Sequence, residues 1–261
     1  MLFSDRPRIF YNHAPVHEVI CQLRFPPILS INRNEPVDFQ EDIRDHFPQY
    51  ARRQDIPAPK ISGLGTPNIQ VQPVPPVTNY HFLSGDGAWK LNLTRDFIAL
   101  STLRYPGWEE FARHLDRPLA SFIRLYHPAY FQRVGLRYRN LISRKQLNLE
   151  NVPWTELISP AYTGPLSEPD LHEENIAQFS CDIGIRLDSS CQVKIHAGPA
   201  QMKNKSADTP EDEMRFVLDL DLFMGGNVSC TLAAAALETL HGHADKVFEG
   251  AITDTLRDAI R

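Results

Sequence analysis

The chain has 261 residues, of which 42% are hydrophobic and 23% are charged, and its formal net charge is −5. This composition is typical of a globular protein, and the length suffices for one large domain or two small ones. The negative charge excludes a protein whose whole surface binds nucleic acid, although a local basic patch is compatible with it. No apolar run approaches the ~20 residues that cross a bilayer, and the first residues lack the apolar core of a signal peptide. We therefore expect no membrane contact.

The four cysteines, Cys21, Cys181, Cys191 and Cys230, are far apart in the sequence and form no CxxC pair. This spacing favours buried thiols in a reducing compartment over a zinc site or a disulfide framework. We therefore predict a cytoplasmic protein with no metal and no cofactor. Cys181 and Cys191 could face each other across neighbouring strands, but the cytoplasm does not favour a disulfide there.

Apolar residues of the first half repeat with period two in four segments and with helical spacing in two. The predicted elements are a strand at 18–25, a helix at 37–47, strands at 77–83, 88–94 and 97–102, and a helix at 108–125. Pro48 ends the first helix, and Pro118 is expected to kink or split the second, because proline lacks the amide donor. Six prolines between positions 57 and 76 predict an extended connection or two irregular edge segments.

The second half repeats this order of elements. A strand is predicted at 133–140, and a proline-rich connection follows it. Further strands are predicted at 177–187, 192–197 and 214–223, with a charged loop at 203–213, and one long helix is predicted at 231–260. Residue identity barely repeats between the halves, but the element order does, which indicates a structural duplication.

The predicted fold class is α+β. Two βαβββα-like halves, residues 1–128 and 129–261, are expected to form one compact domain with a single curved, mainly antiparallel sheet. The helices would cover one face of this sheet. The other face would be open, because the residues that alternate with the apolar ones are polar.

Three arginines on one strand are the most distinctive feature of the sequence. In the segment 133–140, Val134, Leu136 and Tyr138 alternate with Arg133, Gly135, Arg137 and Arg139. A row of like charges on one strand needs anionic neighbours or an anionic ligand. The candidate binding residues on the open face are Gln22, Arg24, Arg133, Arg137, Arg139, Arg186 and Lys194, and the candidate ion-pair partners are Glu18, Asp182, Asp219 and Asp221.

Two explanations of this face remain open. Its charges either form cross-strand ion pairs on a solvated surface, or they bind an anionic or mixed-charge partner that arginine holds through paired hydrogen bonds. Asp219 and Asp221, with Asp182 and His196 nearby, could also ligate a divalent metal, but spacing alone places no third acid there. The segment His241-Gly242-His243 lacks the i, i+4 spacing of a helical metal pair and is expected on the helix surface.

Several segments resemble the signature segments of an uncharacterised, sporadically distributed bacterial protein family of about this length. They span nearly the whole chain and lie at 15–25, 89–91, 100–102, 105–111, 133–140 (RVGLRYRN) and 248–257 (FEGAITDTLR). The resemblance implies no activity and no catalytic residues. The patchy distribution of that family is typical of accessory loci such as toxin–antitoxin or phage-defence cassettes, which is an association and not a mechanism.

No motif for a catalytic serine, a phosphate loop or a dinucleotide fold occurs in the sequence. The leading hypothesis is therefore a non-enzymatic binding protein that holds a protein partner on the arginine-rich open face or the long C-terminal helix, or that self-associates. The first alternative is nucleic-acid binding on the concave sheet face, and the second is a metal- or nucleotide-dependent enzyme of unknown reaction.

Overall fold

The computed structural model describes residues 2–6, 9–62, 69–176, 178–203 and 210–261. Its strands are β1 Val16–Arg24, β2 Gln49–Asp55, β3 Lys60–Ser62, β4 Gln70–Gln72, β5 Val77–Leu83, β6 Trp89–Leu93, β7 Phe97–Thr102, β8 Phe131–Ile142, β9 Cys181–Arg186, β10 Cys191–Lys203 and β11 Pro210–Val228. Its α-helices are α1 Val37–Ile43, α2 Trp108–Tyr126, α3 Trp154–Leu157, α4 Pro160–Thr163, α5 Ala233–Ala251 and α6 Asp254–Ala259.

Nine strands form one antiparallel sheet in the order β2-β5-β6-β7-β1-β8-β11-β10-β9, and β3 and β4 form a separate two-stranded ribbon. In each half the first strand pairs with the last, β1 with β7 and β8 with β11. The two first strands pair with each other at the centre of the sheet. The predicted α+β fold with two halves of similar plan is therefore confirmed. Strand β2 and the ribbon extend the first half beyond the second.

The helices cover one face of the sheet. Helix α5 packs against β8 and β11, and Phe122 of α2 stacks near Phe25 with a ring separation of 4.7 Å. The side chains on this face of the central strands, among them Val19, Leu23 and Leu136, have no solvent exposure. Burial of this continuous apolar face is the main source of stability, at roughly 25 cal/mol for each Å².

Strand β2 is absent from the sequence-based prediction. Its residues are exposed along almost its whole length and show no apolar alternation, so a pattern search reads it as a loop. Backbone pairing with β5 holds it at the sheet edge, and Tyr50 packs on the Phe82 ring at 5.5 Å. A charged edge strand of this kind discourages pairing with other chains.

The prediction of a charged loop at 203–213 is wrong for residues 203 and 210–213, which belong to β10 and β11. Positions 204–209 lie outside the described residues. The predicted strand at 177–187 is shorter in the structure, where β9 begins at Cys181, and position 177 also lies outside the described residues. The proline-rich segment contains the short ribbon β3–β4, and positions 63–68 of it are not described.

Helix α2 is not split at Pro118. The buried side chains of Phe111, Leu115 and Phe122 lie on both sides of the proline, and their burial outweighs one lost hydrogen bond. Helix α1 ends at Ile43, earlier than predicted.

The prediction of one helix over 231–260 is wrong. Ile252 is extended, with φ −102° and ψ 148°, and forms an isolated bridge with Ile158. The hydroxyl of Thr253 then accepts a hydrogen bond from the Leu256 amide and caps α6. Tertiary pairing and a local cap together break the helix that the apolar pattern alone predicts.

All four cysteines are free thiols. The prediction that Cys181 and Cys191 could face each other is wrong, because Cys181 pairs with Ala197 and Cys191 with Met224, at opposite ends of β10. In the described part of the chain, every helix is too short or too polar to cross a bilayer.

Candidate functional site

The strand register places the predicted charged residues on the open face, which is the sheet face opposite α2 and α5. Residues directly opposite each other on antiparallel strands share a face. One cross-strand row consists of Glu18, Arg139, Asp219, His196 and Asp182. The next rows contain Arg137, Asp221 and Lys194, then Gln22 and Arg186, then Arg24 and Arg133. The arginine row, Arg133, Arg137 and Arg139, therefore lies at the centre of the sheet.

Arg137 and Arg139 bind carboxylates from neighbouring strands. Arg137 donates two hydrogen bonds to Asp219, from Nε at 2.7 Å and from a terminal nitrogen at 2.6 Å. Arg139 donates to Glu18 at 2.7 Å, and its Nε lies 3.6 Å from Asp219. The hydrogen bonds to Asp219 raise the pKa of Arg137 above its usual value. This paired geometry is the strongest form of an arginine–carboxylate contact.

Arg133 folds back over a glycine to reach its acid. Its guanidinium lies 4.8 Å from the centre of the Phe223 ring and donates to Asp221 at 2.5 Å. A Cβ at Gly135 would lie 2.1 Å from an Arg133 terminal nitrogen, so only glycine leaves room for this conformation. Phe223 is the strand neighbour of Gly135. Glycine at position 135 therefore allows Arg133 to stack on Phe223 and to pair with Asp221 at the same time.

The outer charges of the open face are less constrained. Lys194 lies 5.8 Å from the Phe223 ring, and Asp182 pairs with His196 at 2.9 Å instead of with an arginine. Among the described residues, Arg24 and Arg186 make no ion pair. The structure thus brings together the arginine row with Glu18, Asp219 and Asp221, and it leaves Arg24 and Arg186 exposed beside them.

These contacts argue against the hypothesis of a metal site at Asp219 and Asp221. Both carboxylates already accept hydrogen bonds from arginine, and Asp219 has a side-chain exposure of only 9%. A cation would have to displace charged donors that these carboxylates already hold. The open face is a network of cross-strand ion pairs.

A concave site lies on the other face of the sheet, which the helices cover. The α5 cavity, of about 360 Å³, lies between α5, the segment 9–16, the turn at 105–107 and the centre of the sheet. The Pro15 carbonyl accepts from the Leu141 amide at 2.8 Å, and the His13 amide donates to the Ile260 carbonyl at 3.0 Å, which fixes the N-terminal segment as its outer wall. The apolar lining consists of Ile9, Phe10, Ala14, Pro15, Val16, Pro106, Leu220, Ala244 and Phe248.

Polar groups converge at the inner end of the α5 cavity. The Tyr138 hydroxyl shares a hydrogen bond of 2.8 Å with Nδ1 of His241 and lies 3.4 Å from the Tyr105 hydroxyl. On the other side of the imidazole, Nε2 lies 3.6 Å from Asp245. Trp108 stacks on His241 with ring centres 4.7 Å apart and donates to Glu238 at 2.8 Å. Packing and hydrogen bonding therefore hold Tyr138 and His241 in fixed orientations.

A buried ion pair supports the other end of the cavity. Glu249 accepts from Arg257 Nε at 3.0 Å, and both residues are only 5% exposed. Arg257 also donates to the Glu249 carbonyl at 3.1 Å, and the Tyr11 hydroxyl donates to the Glu249 carboxylate. Burial and the neighbouring Glu249 carboxylate raise the pKa of Tyr11, so this hydroxyl keeps its proton. The three groups tie the N-terminal segment, α5 and α6 together.

The prediction that His241-Gly242-His243 lies on the helix surface is wrong for His241, which is 6% exposed. Sequence reasoning also misses the hydroxyl of Tyr138, because the alternation pattern counts this residue only as apolar. A signal for His241 was present, because it follows Leu237 by four residues and precedes Ala244 by three, on the apolar stripe of the helix. The charged pair Glu249 and Arg257 gave no comparable signal.

The α5 cavity has the composition of a small-molecule site. Such sites are concave, mostly apolar and about 300–1,000 Å³ in volume, with a few polar groups that fix orientation. A polar atom of a ligand whose body lies against the apolar wall would join the hydrogen bonds that the Tyr138 hydroxyl already makes with His241 and Tyr105. A comparison of the chain with protein-family models finds no match. A comparison with curated proteins finds none either.

Proposed function

We propose that this protein is a non-enzymatic binding protein that holds a small, largely apolar molecule with one hydrogen-bonding group in the α5 cavity. The observation that carries the proposal is the convergence of Tyr138 and His241 on an apolar-walled cavity of about 360 Å³. The arginine row, by contrast, is already bonded to acids of the same sheet. The cavity offers a ligand an apolar wall that no other side chain of the described residues covers, whereas the arginine row offers mainly contacts that must first be broken.

Two findings weigh against the arginine row or the C-terminal helix as the surface for a protein partner. The arginines have acidic partners, and the apolar side of α5 is covered by the sheet, with Leu240 and Val247 fully buried. The acids that neutralise the arginines also weaken the support for nucleic-acid binding. The support for the enzyme alternative is weaker for the same reason, because a metal at Asp219 and Asp221 or a nucleotide at the arginine row would each have to break these ion pairs.

The test compares toluene with p-cresol, which have the same shape except for one hydroxyl. We expect both to bind in the α5 cavity, and p-cresol to bind about fivefold more tightly, since a net hydrogen bond contributes about 1 kcal/mol. Tyr138→Phe should remove most of this difference and leave toluene binding unchanged. Ligand-observed NMR titrations measure both affinities.

Gly242 supplies a matched pair of variants. It lines the cavity, and a Cβ there meets nothing within 4 Å, so a larger residue enters open space without strain. Gly242→Trp should abolish binding of both probes, whereas Gly242→Ala should retain it. Both variants should fold, because replacing a helical glycine favours the helix by up to about 1 kcal/mol. Binding that survives Gly242→Trp, or no binding of either probe to the unchanged protein, contradicts the proposal.

A second candidate is self-association through the β3–β4 ribbon. Ile61 and Val71 on the ribbon and Ile69 directly before β4 are 51–60% exposed, which is unusual for three neighbouring apolar side chains. Sedimentation velocity tests this candidate: Val71→Lys should lower the association of the chain, and a protein that is monomeric at all concentrations removes it. The accessory-locus partner and the cytoplasmic location that the sequence suggests stay predictions.

A further inference from the structure

The second histidine of the segment His241-Gly242-His243 points away from the α5 cavity. Residues two apart on a helix differ in direction by about 200°. His243 accordingly lies on another side of α5, where its Nε2 is 3.1 Å from Oδ2 of Asp188. Asp188 belongs to the turn between β9 and β10, and the buried Cys191 begins β10 in the same turn.

Three different ligand atoms meet at this point. A carboxylate oxygen of Asp188, the sulfur of Cys191 and a ring nitrogen of His243 all lie within 4.8 Å of one another. Adjacent ligands of a tetrahedral zinc ion are separated by about 3.3–3.8 Å, given Zn–N and Zn–S distances of about 2.0 and 2.3 Å. A small adjustment of side chains therefore brings the three donors to coordination distance.

The turn orients its ligands before any metal binds. Oδ1 of Asp188 accepts from the amides of Ser190 and Cys191, each at 2.7 Å, and this leaves Oδ2 directed at His243. Hydrogen bonds of this kind fix the orientation of a side chain that binds a metal directly. Asp188 and His243 are partly exposed, which leaves a route for an ion from solvent.

We propose that Asp188, Cys191 and His243 form a binding site for a zinc-like divalent transition metal, with water in the fourth position. Sulfur and imidazole ligands select such a metal over Mg²⁺ or Ca²⁺, which prefer oxygen. Binding releases the thiol proton of Cys191 to solvent and forms a metal–thiolate bond. The metal would join the outer hairpin β9–β10 to α5. The proposal is independent of the α5 cavity.

Cobalt and zinc binding to the reduced full-length protein tests this site. We expect one equivalent of Co²⁺ to give the absorption of a tetrahedral ion with a thiolate-to-cobalt charge-transfer band. Cys191→Ser should remove that band. His243→Gln should weaken Zn²⁺ binding, measured by competition with a chromophoric chelator, by about 100-fold or more, since even supporting contacts contribute about 10–100-fold.

His196→Gln is the matched control, because His196 also pairs with an aspartate, and among the described residues no third metal-ligating group joins that pair. It should change neither the Co²⁺ spectrum nor the Zn²⁺ affinity. Asp188→Asn keeps an oxygen that accepts from the turn amides, so it should weaken metal binding without unfolding the hairpin. Three results would overturn the proposal: no metal bound at millimolar concentration, a thiolate band that persists in Cys191→Ser, or equal Zn²⁺ affinity in His243→Gln and His196→Gln.

Discussion

Strand β8 builds two regions of opposite character on its two faces. On the open face, the arginine row is bonded to Asp219, Asp221 and Glu18 from the neighbouring strands. On the other face, Tyr138 lines the α5 cavity, where polar groups meet unfilled space. The comparison teaches that the charges of one face are already paired within the sheet, whereas the other face leaves space beside oriented polar groups.

Two glutamates that pair with arginine allow this comparison to be measured. Glu249→Gln should lower the free energy of unfolding by about 3 kcal/mol, because it removes the buried carboxylate that pairs with Arg257 and leaves this buried charge only the exposed carboxylate of Asp254. Glu18→Gln should lower it by about 1 kcal/mol or less, because Arg139 remains partly solvated and close to Asp219. Urea denaturation of both variants gives the values, and equal losses would contradict the distinction between the two regions.

A double-mutant cycle on Arg137 and Asp219 measures the interaction energy of the central ion pair of the open face. We expect a coupling energy of about 2 kcal/mol from Arg137→Met and Asp219→Asn, since the contact is doubly hydrogen-bonded and Asp219 is largely buried. The coupling should fall in high salt, because Arg137 is half exposed. A coupling near zero would show that the arginine is free for another partner.

Gly135→Ala tests the conformation of Arg133. The added methyl group should push the guanidinium off Phe223 and Asp221, and we expect a net loss of about 1 kcal/mol relative to Gly184→Ala. Gly184 is a suitable control, because it lies in β9 and a Cβ there meets nothing within 4 Å. Thermal unfolding of the two variants checks this. Identical stability would mean that the conformation of Arg133 does not depend on a glycine at position 135.

The smallest expected effect is on nucleic-acid binding. With the arginine row neutralised, only Arg24, Arg186 and Lys194 of the predicted residues can reach phosphates, so the slope of log affinity against log salt should not be steeper than about −3. Fluorescence anisotropy with duplex DNA across salt concentrations measures the slope. A much steeper slope would show that the ion pairs of the open face open for DNA.

The sheet could be predicted from the sequence because its apolar and polar residues alternate. The shared face of the arginines and acids follows from that alternation, but the register of β8 against β1 and β11 does not, because a shift by two residues keeps the same faces. Strand β2 and the break at Ile252 could not be predicted in this way. The first is set by edge pairing with β5 and the second by a bridge to Ile158, and both are contacts distant in sequence.

The candidate site was less predictable than the fold. The arginines and three of the acids were identified, but which acid binds which arginine depends on diagonal contacts that spacing does not give. The α5 cavity joins the N-terminal segment, the 105–107 turn and α5, which lie up to about 240 residues apart in the chain. His241 carried a usable signal, since a histidine on an apolar helical stripe must find a buried partner.

One measurement tests the central claim most directly. In a two-dimensional ¹H–¹⁵N NMR titration with p-cresol, the indole signal of Trp108 reports on the α5 cavity and the Nε signal of Arg137 reports on the open face in the same sample. A Trp108→Phe variant assigns the indole signal. We expect saturable movement of the Trp108 signal with the Arg137 signal unchanged. Movement of Arg137 with Trp108 unchanged would contradict the assignment of ligand binding to the cavity.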